Sequence, residues 1–184
     1  RVRGNFLLPV IGKPVGYDMQ VGDWTPPYGS GQVSDFTLMF TEIHTNGCWT
    51  YSGELSFAPG AGAYRMQNLP STSIWASHLA DTNAVYESTF VSTFKSYDDG
   101  RYVGHWKDIL GEDEHMIVRT RVVRDTEGHI VKCNYAKMKG PLKVRKFFSF
   151  RECTFNPNVN DPSLEDDYAQ NLFPRERRRG HVVP

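Results

Sequence analysis

Apolar and polar side chains alternate along much of the chain between residues 35 and 155, and this alternation predicts β-strands. The clearest case is the segment in which Trp49, Tyr51, Leu55 and Phe57 alternate with polar residues. A period of two residues places successive side chains on opposite faces of a sheet. We count about nine such segments and no convincing helical pattern. The pattern therefore predicts an all-β protein whose antiparallel strands follow one another as a meander.

Turn sequences between these segments support the meander. Asn46-Gly47 is the strongest two-residue hairpin signal. Asp98-Asp99-Gly100 predicts a three-residue loop with glycine in the left-handed conformation, and residues 125–128, which begin with Asp and end with Gly, suit a type I turn. Together these turns predict long hairpins that keep one face apolar.

The same turns predict strand register and therefore the side chains that face inwards. We expect Trp106 to lie opposite Val118, and Arg124 to lie opposite His129, so that odd-numbered residues of the next strand face inwards. The predicted inner face then offers eight candidate residues for binding a small ligand: Phe90, Phe94, Tyr102, Trp106, Thr120, Cys133, Tyr135 and Phe148.

A meander of this length favours closure, because closure removes the exposed edges of the sheet. We therefore expect residues 35–155 to form a closed β-barrel, with a two-sheet sandwich as the alternative. Residues 1–34 are predicted to be an extended or loop segment. Residues 156–184 are rich in Pro, Asn and charged side chains, which predicts an extended C-terminal docking arm.

The segment Val21-Gly22-Asp23-Trp24 contains the Gly-x-Trp sequence found near the start of lipocalins and related calycin barrels. Together with the long-stranded meander, it resembles a calycin-like, lipocalin-like barrel. This resemblance implies a carrier that holds a small apolar molecule, such as a lipid or a pigment, inside the barrel.

Charge is distributed unevenly along the chain, although 21 basic residues balance 21 acidic ones. Residues 101–151 contain 12 Lys and Arg against 6 Asp and Glu, whereas residues 1–100 contain 5 against 9. On the predicted outer face these cations form a basic wall, extended by a basic cluster near the C-terminus. The predicted docking residues are His105, Lys107, Arg119, Arg121, Lys132, Lys143, Arg145, Arg151, Arg175, Arg177, Arg178 and Arg179. They fit an acidic protein partner or an anionic lipid surface, or are simply solvated; nucleic acid is not expected.

Motifs of known catalytic or metal chemistry are absent from the sequence. Residues 112–115 combine three carboxylates and a histidine, but consecutive residues on a tight turn splay their side chains, so we predict no metal site. The odd number of cysteines argues against a disulfide framework. No apolar run is long enough to cross a bilayer. Arg1 in place of Met favours removal of a presequence and thus an organelle or a secretory route.

Three functions remain from the sequence. The first is a non-catalytic accessory subunit that joins a protein assembly through the basic wall and the terminal extensions. The second is a carrier of an apolar small molecule, and the third is a barrel enzyme of the cyclase or isomerase type, for which no catalytic residue is predicted. An interior filled by aromatic side chains favours the first function, and an open interior favours the second.

Overall fold

The structure, a computed structural model of the chain, describes residues 2–66, 79–103 and 106–164. Within these residues the regular secondary structure consists of β-strands alone, and all pairs of strands are antiparallel. The all-β antiparallel prediction is therefore confirmed. The strands are β1 (Val2–Leu7), β2 (Val15–Asp18), β3 (Asp23–Trp24), β4 (Phe36–Thr45), β5 (Cys48–Ser56), β6 (Gly62–Met66), β7 (Thr89–Tyr97), β8 (Tyr102–Val103), β9 (His115–Arg124), β10 (Ile130–Lys139), β11 (Lys143–Val144) and β12 (Phe147–Asn156).

The strands are divided between two six-stranded sheets. The first sheet has the order β1-β12-β10-β9-β6, with β11 also paired to β12, and the second has the order β3-β2-β4-β5-β7-β8. Along the described part of the chain, these ladders leave each sheet open. The pairing agrees with the two-sheet alternative, and closure into a barrel is not confirmed.

The hairpin predicted at Asn46-Gly47 is confirmed. The β4–β5 ladder continues up to the pair Thr45 and Cys48, directly before and after the turn. Both turn residues have positive φ angles, 52° for Asn46 and 71° for Gly47. A two-residue turn of type I′ requires this conformation, and Asn and Gly adopt it at the least cost.

The predicted pairing of Trp106 with Val118 is wrong. Val118 lies between Ala63 of β6 and Ala136 of β10, whereas Trp106 follows β8 in a crossover segment, residues 106–108, that leads from the second sheet to the first. The next two apolar residues, Ile109 and Leu110, explain the difference, because both are buried in the core. The amide of Ile109 also donates to the carbonyl of Leu142 at 2.9 Å, which holds the chain on the first sheet.

The predicted register of β9 and β10 is also wrong. Arg124 pairs with Ile130 and not with His129. A shift of one residue exchanges the two faces of a strand. Cys133 and Tyr135, predicted to face the interior, consequently lie on the opposite face of the first sheet, in a second apolar cluster.

A bulge in β9 adds to this irregularity. Between the pair Val123 and Lys132 and the pair Thr120 and Asn134, β9 has two residues where β10 has one. Arg121 lies in this bulge with a φ angle of 53°. Only a few per cent of non-glycine residues adopt positive φ, so contacts elsewhere must hold Arg121 in this conformation.

The main core fills the space between the two sheets and is strongly aromatic. Tyr17 stacks on Phe36 with ring centroids 5.4 Å apart, and Phe148 meets both rings edge-on. Trp24 packs against the same group. Phe90 and Phe148, both predicted to face inwards, belong to this core. The interior at this level is filled by rings.

Within the segment expected to be extended or loop-like, residues 2–34 contribute three short strands. β1 pairs with β12, with Phe6 opposite Phe148, while β2 pairs with β4 in the other sheet. The first strand of the described chain therefore lies beside the last.

Residues 157–164, the start of the predicted arm, pack on the outer face of the first sheet. The Asn160 amide donates to the Cys133 carbonyl at 2.8 Å, its Oδ1 accepts from the Cys133 amide at 2.9 Å, and its Nδ2 donates to the Val131 carbonyl at 2.9 Å. Leu164 is buried in the second apolar cluster. The contacts of the fold therefore extend past residue 156, and residues 165–184 lie outside the described residues.

Cys48, Cys133 and Cys153 are free thiols. Burial raises the pKa of the Cys153 thiol to about 12, so it stays protonated and unreactive at neutral pH. No helix in the described ranges is long and apolar enough to cross a membrane.

Candidate functional site

One end of the second sheet leaves aromatic side chains uncovered on the face that elsewhere forms the core. The register of β4, β5 and β7 places inner-face residues in rows of three. The rows are Phe40, Gly53 and Ser92, which are all buried; Glu42, Tyr51 and Phe94, which are all half-buried; and His44, Trp49 and Ser96, of which the first two are exposed and Ser96 is half-buried. Burial thus falls along all three strands in the same direction.

Gly53 marks where the first sheet stops covering the second. A Cβ atom at this position would overlap the carbonyl oxygen of Val144, so β11 rests directly on the backbone of β5. Tyr51 and Trp49 come next along β5 on the same face, beyond this contact. A glycine is required where two backbones approach so closely, and its position fixes the limit of the covered region.

Rings from β4, β5, β7 and the crossover segment meet in this uncovered region. Tyr51 lies 6.0 Å from Phe94 and 6.4 Å from Trp106, between ring centroids, and Trp49 lies 6.3 Å from Tyr51. His44 stacks on Trp49 at 4.6 Å. We call these five residues the aromatic end.

Trp106 reaches the aromatic end from the crossover segment. Its ring lies 5.6 Å from that of Phe94 and 6.2 Å from that of Phe40. The Ser92 hydroxyl donates to the Lys107 carbonyl, which ties the crossover to β7. The indole Nε1 of Trp106 is buried and has no hydrogen-bond partner among the described residues.

Charged side chains form a rim beside these rings. The Arg145 guanidinium lies 5.0 Å from the centroid of the Trp106 ring, and its Nη2 donates to Asp108 Oδ1 at 3.0 Å. Lys143 Nζ lies 3.6 Å from the other oxygen of Asp108. Lys146 pairs with Glu42 at 2.9 Å, and this hydrogen bond raises the pKa of Lys146.

A second ionic cluster joins β9 to the loop before β4. Arg121 Nε donates to Asp35 Oδ1 at 2.8 Å, and Arg121 Nη2 donates to Asp18 Oδ1 at 2.9 Å. The Thr120 hydroxyl donates to Asp35 at 3.0 Å, and the Met19 amide donates to it at 2.7 Å. Asp18 and Asp35 are 1% and 0% exposed, so the two carboxylates are closed to solvent and the cluster holds the structure together.

The Asp18 carboxyl is stabilised as an anion in spite of its burial. Burial raises its pKa, but hydrogen bonds from the Val21, Gln32 and Val33 amides, together with the charge of Arg121, outweigh burial and lower the pKa below its ordinary value. Together with the Gln20 amide, four amides from the loops on either side of β3 thus converge on a single carboxylate.

Arg119 lies on the opposite face of the first sheet, in the second cluster. Its guanidinium stands 3.9 Å from the centroid of the Tyr86 ring and donates to the Thr82 carbonyl at 3.4 Å. Burial raises the pKa of Tyr86 and of Tyr135. These tyrosines remain neutral over the physiological range and contribute packing.

The predicted ligand residues are therefore dispersed. Phe94 and Trp106 come together at the aromatic end, whereas Phe90 and Phe148 lie in the core. Thr120 binds Asp35, and Cys133 and Tyr135 pack in the second cluster. Tyr102 lies in β8, with its side chain outside the described part. The sequence analysis missed Trp49, Tyr51 and His44 as site residues. Their proximity to the Asn46-Gly47 turn was the available signal, because side chains near a turn lie at an end of the sheet.

The predicted basic wall is likewise divided. Lys107, Lys132 and Arg151 are exposed; Arg119 and Arg121 are engaged as described above; Lys143 and Arg145 share Asp108; and His105, Arg175, Arg177, Arg178 and Arg179 lie outside the described residues.

Within the described ranges no three or more His, Cys, Asp or Glu side chains are grouped so as to hold a metal ion. Comparisons with protein families, with curated proteins and with solved structures gave no match to this chain.

Proposed function

We propose that the protein is a non-catalytic binding protein that holds a small, largely apolar, ring-containing molecule at the aromatic end. The observation that carries this proposal is the decrease in burial along β4, β5 and β7, which leaves Tyr51, Trp49 and Trp106 partly exposed on a core-facing surface. Aromatic surfaces rimmed by polar groups are typical of ligand sites, and the ends of β-sandwiches and β-barrels often carry them.

The rings of the aromatic end are held by rigid elements. The β4–β5 ladder is unbroken from Thr37 and Ser56 to Thr45 and Cys48, and the adjacent β5–β7 ladder is equally regular. Side chains on paired strands lose little further entropy when a ligand binds, so most of the contact energy is available for affinity.

We also propose that the protein has a modified form of the calycin-like barrel expected from the sequence. The bridge between Ala63 and Glu87 has both of its hydrogen bonds, at 2.9 and 2.8 Å, and joins the edge strand β6 to the chain just before β7. This contact supports a sandwich that closes in the manner of a barrel on one side. The ligand then lies at the open end, because rings fill the interior.

Ligand binding ranks above the accessory-subunit function. A docking wall needs its cations together on one accessible surface, whereas Arg121 makes ion pairs with Asp18 and Asp35 and Arg119 packs over the Tyr86 ring. It also ranks above the enzyme function. The carboxylates of Asp108 and Glu42 are paired with cations, and that of Asp98 is bonded to His44 Nε2 at 3.0 Å, so none of the three is free to serve as a general base.

The experiment is a titration with N-phenyl-1-naphthylamine, a neutral two-ring probe whose fluorescence rises in apolar surroundings. We expect saturable one-to-one binding that Trp49→Ala and Tyr51→Ala each weaken roughly tenfold, which corresponds to about 1.4 kcal/mol. Tyr97→Ala is the matched control, since Tyr97 and Trp49 are both 36% exposed but lie on opposite faces of the sheet. Equal weakening in all three variants, or no saturable binding, would overturn the proposal.

A further inference from the structure

We propose that the ligand of the aromatic end is an aromatic oxyanion, a ring system bearing a carboxylate or sulfonate, and that Arg145 selects for the acidic group. This inference rests on the proposed binding function and adds the chemical class of the ligand. Three observations support it: an unbalanced charge, two unused N–H donors, and the position of both beside the rings.

The first observation is a positive charge without a counterion. Arg145 and Lys143 share a single carboxylate, that of Asp108, at 3.0 and 3.6 Å. The neighbouring pair of Lys146 and Glu42 is balanced. The group of Arg145, Lys143 and Asp108 therefore has a net charge of +1. Partial burial beside aromatic rings reduces solvent screening, so an anion at this position is attracted more strongly than at an open surface.

The second observation concerns hydrogen-bond donors. Arg145 Nε and Trp106 Nε1 are both buried, and neither has a partner in the part of the chain that the structure describes. Buried donors without partners are rare because each one costs free energy. A guanidinium carries five N–H donors in a planar fork, so Arg145 can keep its bond to Asp108 and still donate to a second oxyanion.

The third observation is that charge and rings occur together. The Arg145 guanidinium lies over the Trp106 ring, and Trp106 contacts Tyr51 and Phe94 of the aromatic end. A free inorganic anion would gain nothing from these rings, and a neutral apolar molecule would gain nothing from the charge. A molecule that joins an oxyanion to a flat ring system uses both.

The test compares two probes that differ by one acidic group. 8-Anilinonaphthalene-1-sulfonate has the ring system of N-phenyl-1-naphthylamine plus a sulfonate. We expect the wild type to bind the sulfonate roughly tenfold more tightly, and added salt to weaken only that probe. Arg145→Gln should bring the ratio of the two affinities to about one.

The double variant Glu42→Gln and Lys146→Gln is the matched control, because it removes a balanced ion pair, keeps the net charge of the rim, and should leave the ratio unchanged. Lys143→Gln removes one charge from the group without touching Trp106, so it tests the idea if Arg145→Gln fails to fold. Only variants with the wild-type melting temperature and one-to-one stoichiometry count, since partly unfolded proteins also bind the sulfonate probe.

Each outcome is decisive. A ratio near one in the wild type, or a ratio that both Arg145→Gln and Lys143→Gln leave unchanged, overturns the anion selectivity while the proposed function stands. Failure of both probes to bind overturns the proposed function as well. Displacement of the sulfonate probe by millimolar inorganic phosphate alone would show that the rings are unnecessary, and would also overturn the inference.

Discussion

Arg121 Nε lies 2.8 Å from the carboxylate of Asp35, although the two residues are 86 positions apart in the chain. The bulge in β9 and the positive φ of Arg121 make this contact possible, because they turn the side chain towards the loop before β4. Left-handed backbone in a non-glycine residue costs roughly 1–2 kcal/mol. The hydrogen bonds of Arg121 to Asp35 and Asp18 offset that cost and attach the N-terminal loop to the first sheet.

We predict that Arg121→Met destabilises the protein by about 3–5 kcal/mol. The substitution leaves two buried carboxylates without their cation, and breaking a buried ion pair from one side costs this much. Urea unfolding at pH 7 measures the effect, with Arg151→Met as the control, since Arg151 is exposed. A loss below about 1 kcal/mol would mean that the carboxylates find other partners.

The lowered pKa of Asp18 predicts a dependence of stability on pH. Since the pKa of this carboxyl is lower in the folded protein than its ordinary value of 3.8, its contribution is fully present above about pH 4 and is lost as the pH falls through the folded pKa. Asp18→Asn should reduce stability at pH 7. The unfolding free energies of variant and wild type should converge as the pH falls below the ordinary value and through the folded pKa. Parallel curves from pH 7 to pH 2 would contradict this linkage.

Close packing between the sheets predicts that Gly53→Ala is destabilising. The added Cβ would overlap the Val144 carbonyl, and relief requires a backbone shift of β11 or β5, which costs about 1–3 kcal/mol. Gly111→Ala is the control, because the nearest atoms there are in the side chain of Glu114 at ordinary distances. Thermal unfolding of the two variants should differ by several degrees. Equal melting temperatures would show that the sheets separate easily at Gly53.

Asn160 should be a structural residue of the segment that follows β12. Asn160→Ala removes two side-chain hydrogen bonds to β10 and places alanine at a φ of 61°, so we expect a loss of about 2–3 kcal/mol. Val159→Ser, at a neighbouring exposed position, should change stability by less than about 0.5 kcal/mol. Hydrogen exchange of the Cys133 amide gives a second measurement, because that amide donates to Asn160 and should exchange faster in the variant. Unchanged protection would contradict the role of Asn160.

Local chemistry was sufficient to predict several turns. Asn46-Gly47 gave the right hairpin, and the loop at residues 98–100 closes as expected, with the Tyr97 amide donating to the Arg101 carbonyl at 2.8 Å. A tight turn depends mainly on its own residues, so the sequence contains the relevant information. The all-β class followed from the same local patterns.

The predictions from sequence fail where contacts between residues far apart in the chain determine the structure. Burial of Ile109 and Leu110 carries the chain away from β8, and no local signal reveals that the first sheet offers a place for them. The bulge at Arg121 depends on the distant carboxylates of Asp18 and Asp35, and no local signal in β9 reveals it. In both cases a contact between residues distant in sequence outweighs a reasonable local pattern.

The candidate site was predictable only in part. Phe94 and Trp106 were recognised as core-facing aromatic residues, and Tyr51 as an alternating strand residue. Which end of a sheet stays uncovered depends on where β11 rests, and this is set by its contact with Gly53. The sequence could therefore indicate apolar side chains but not their exposure.

The pairing of β1 with β12 means that the chain cannot complete its first sheet as it is made. Phe6 can pair with Phe148 only after Phe148 has been synthesised. At roughly 5–20 residues per second, this happens many seconds after the synthesis of Phe6. The second sheet needs nothing beyond β8 and can form first. During that interval the inner faces of β4 and β5 have no covering layer, so the nascent protein passes through a period in which a chaperone or a neighbouring chain can bind its aromatic surface.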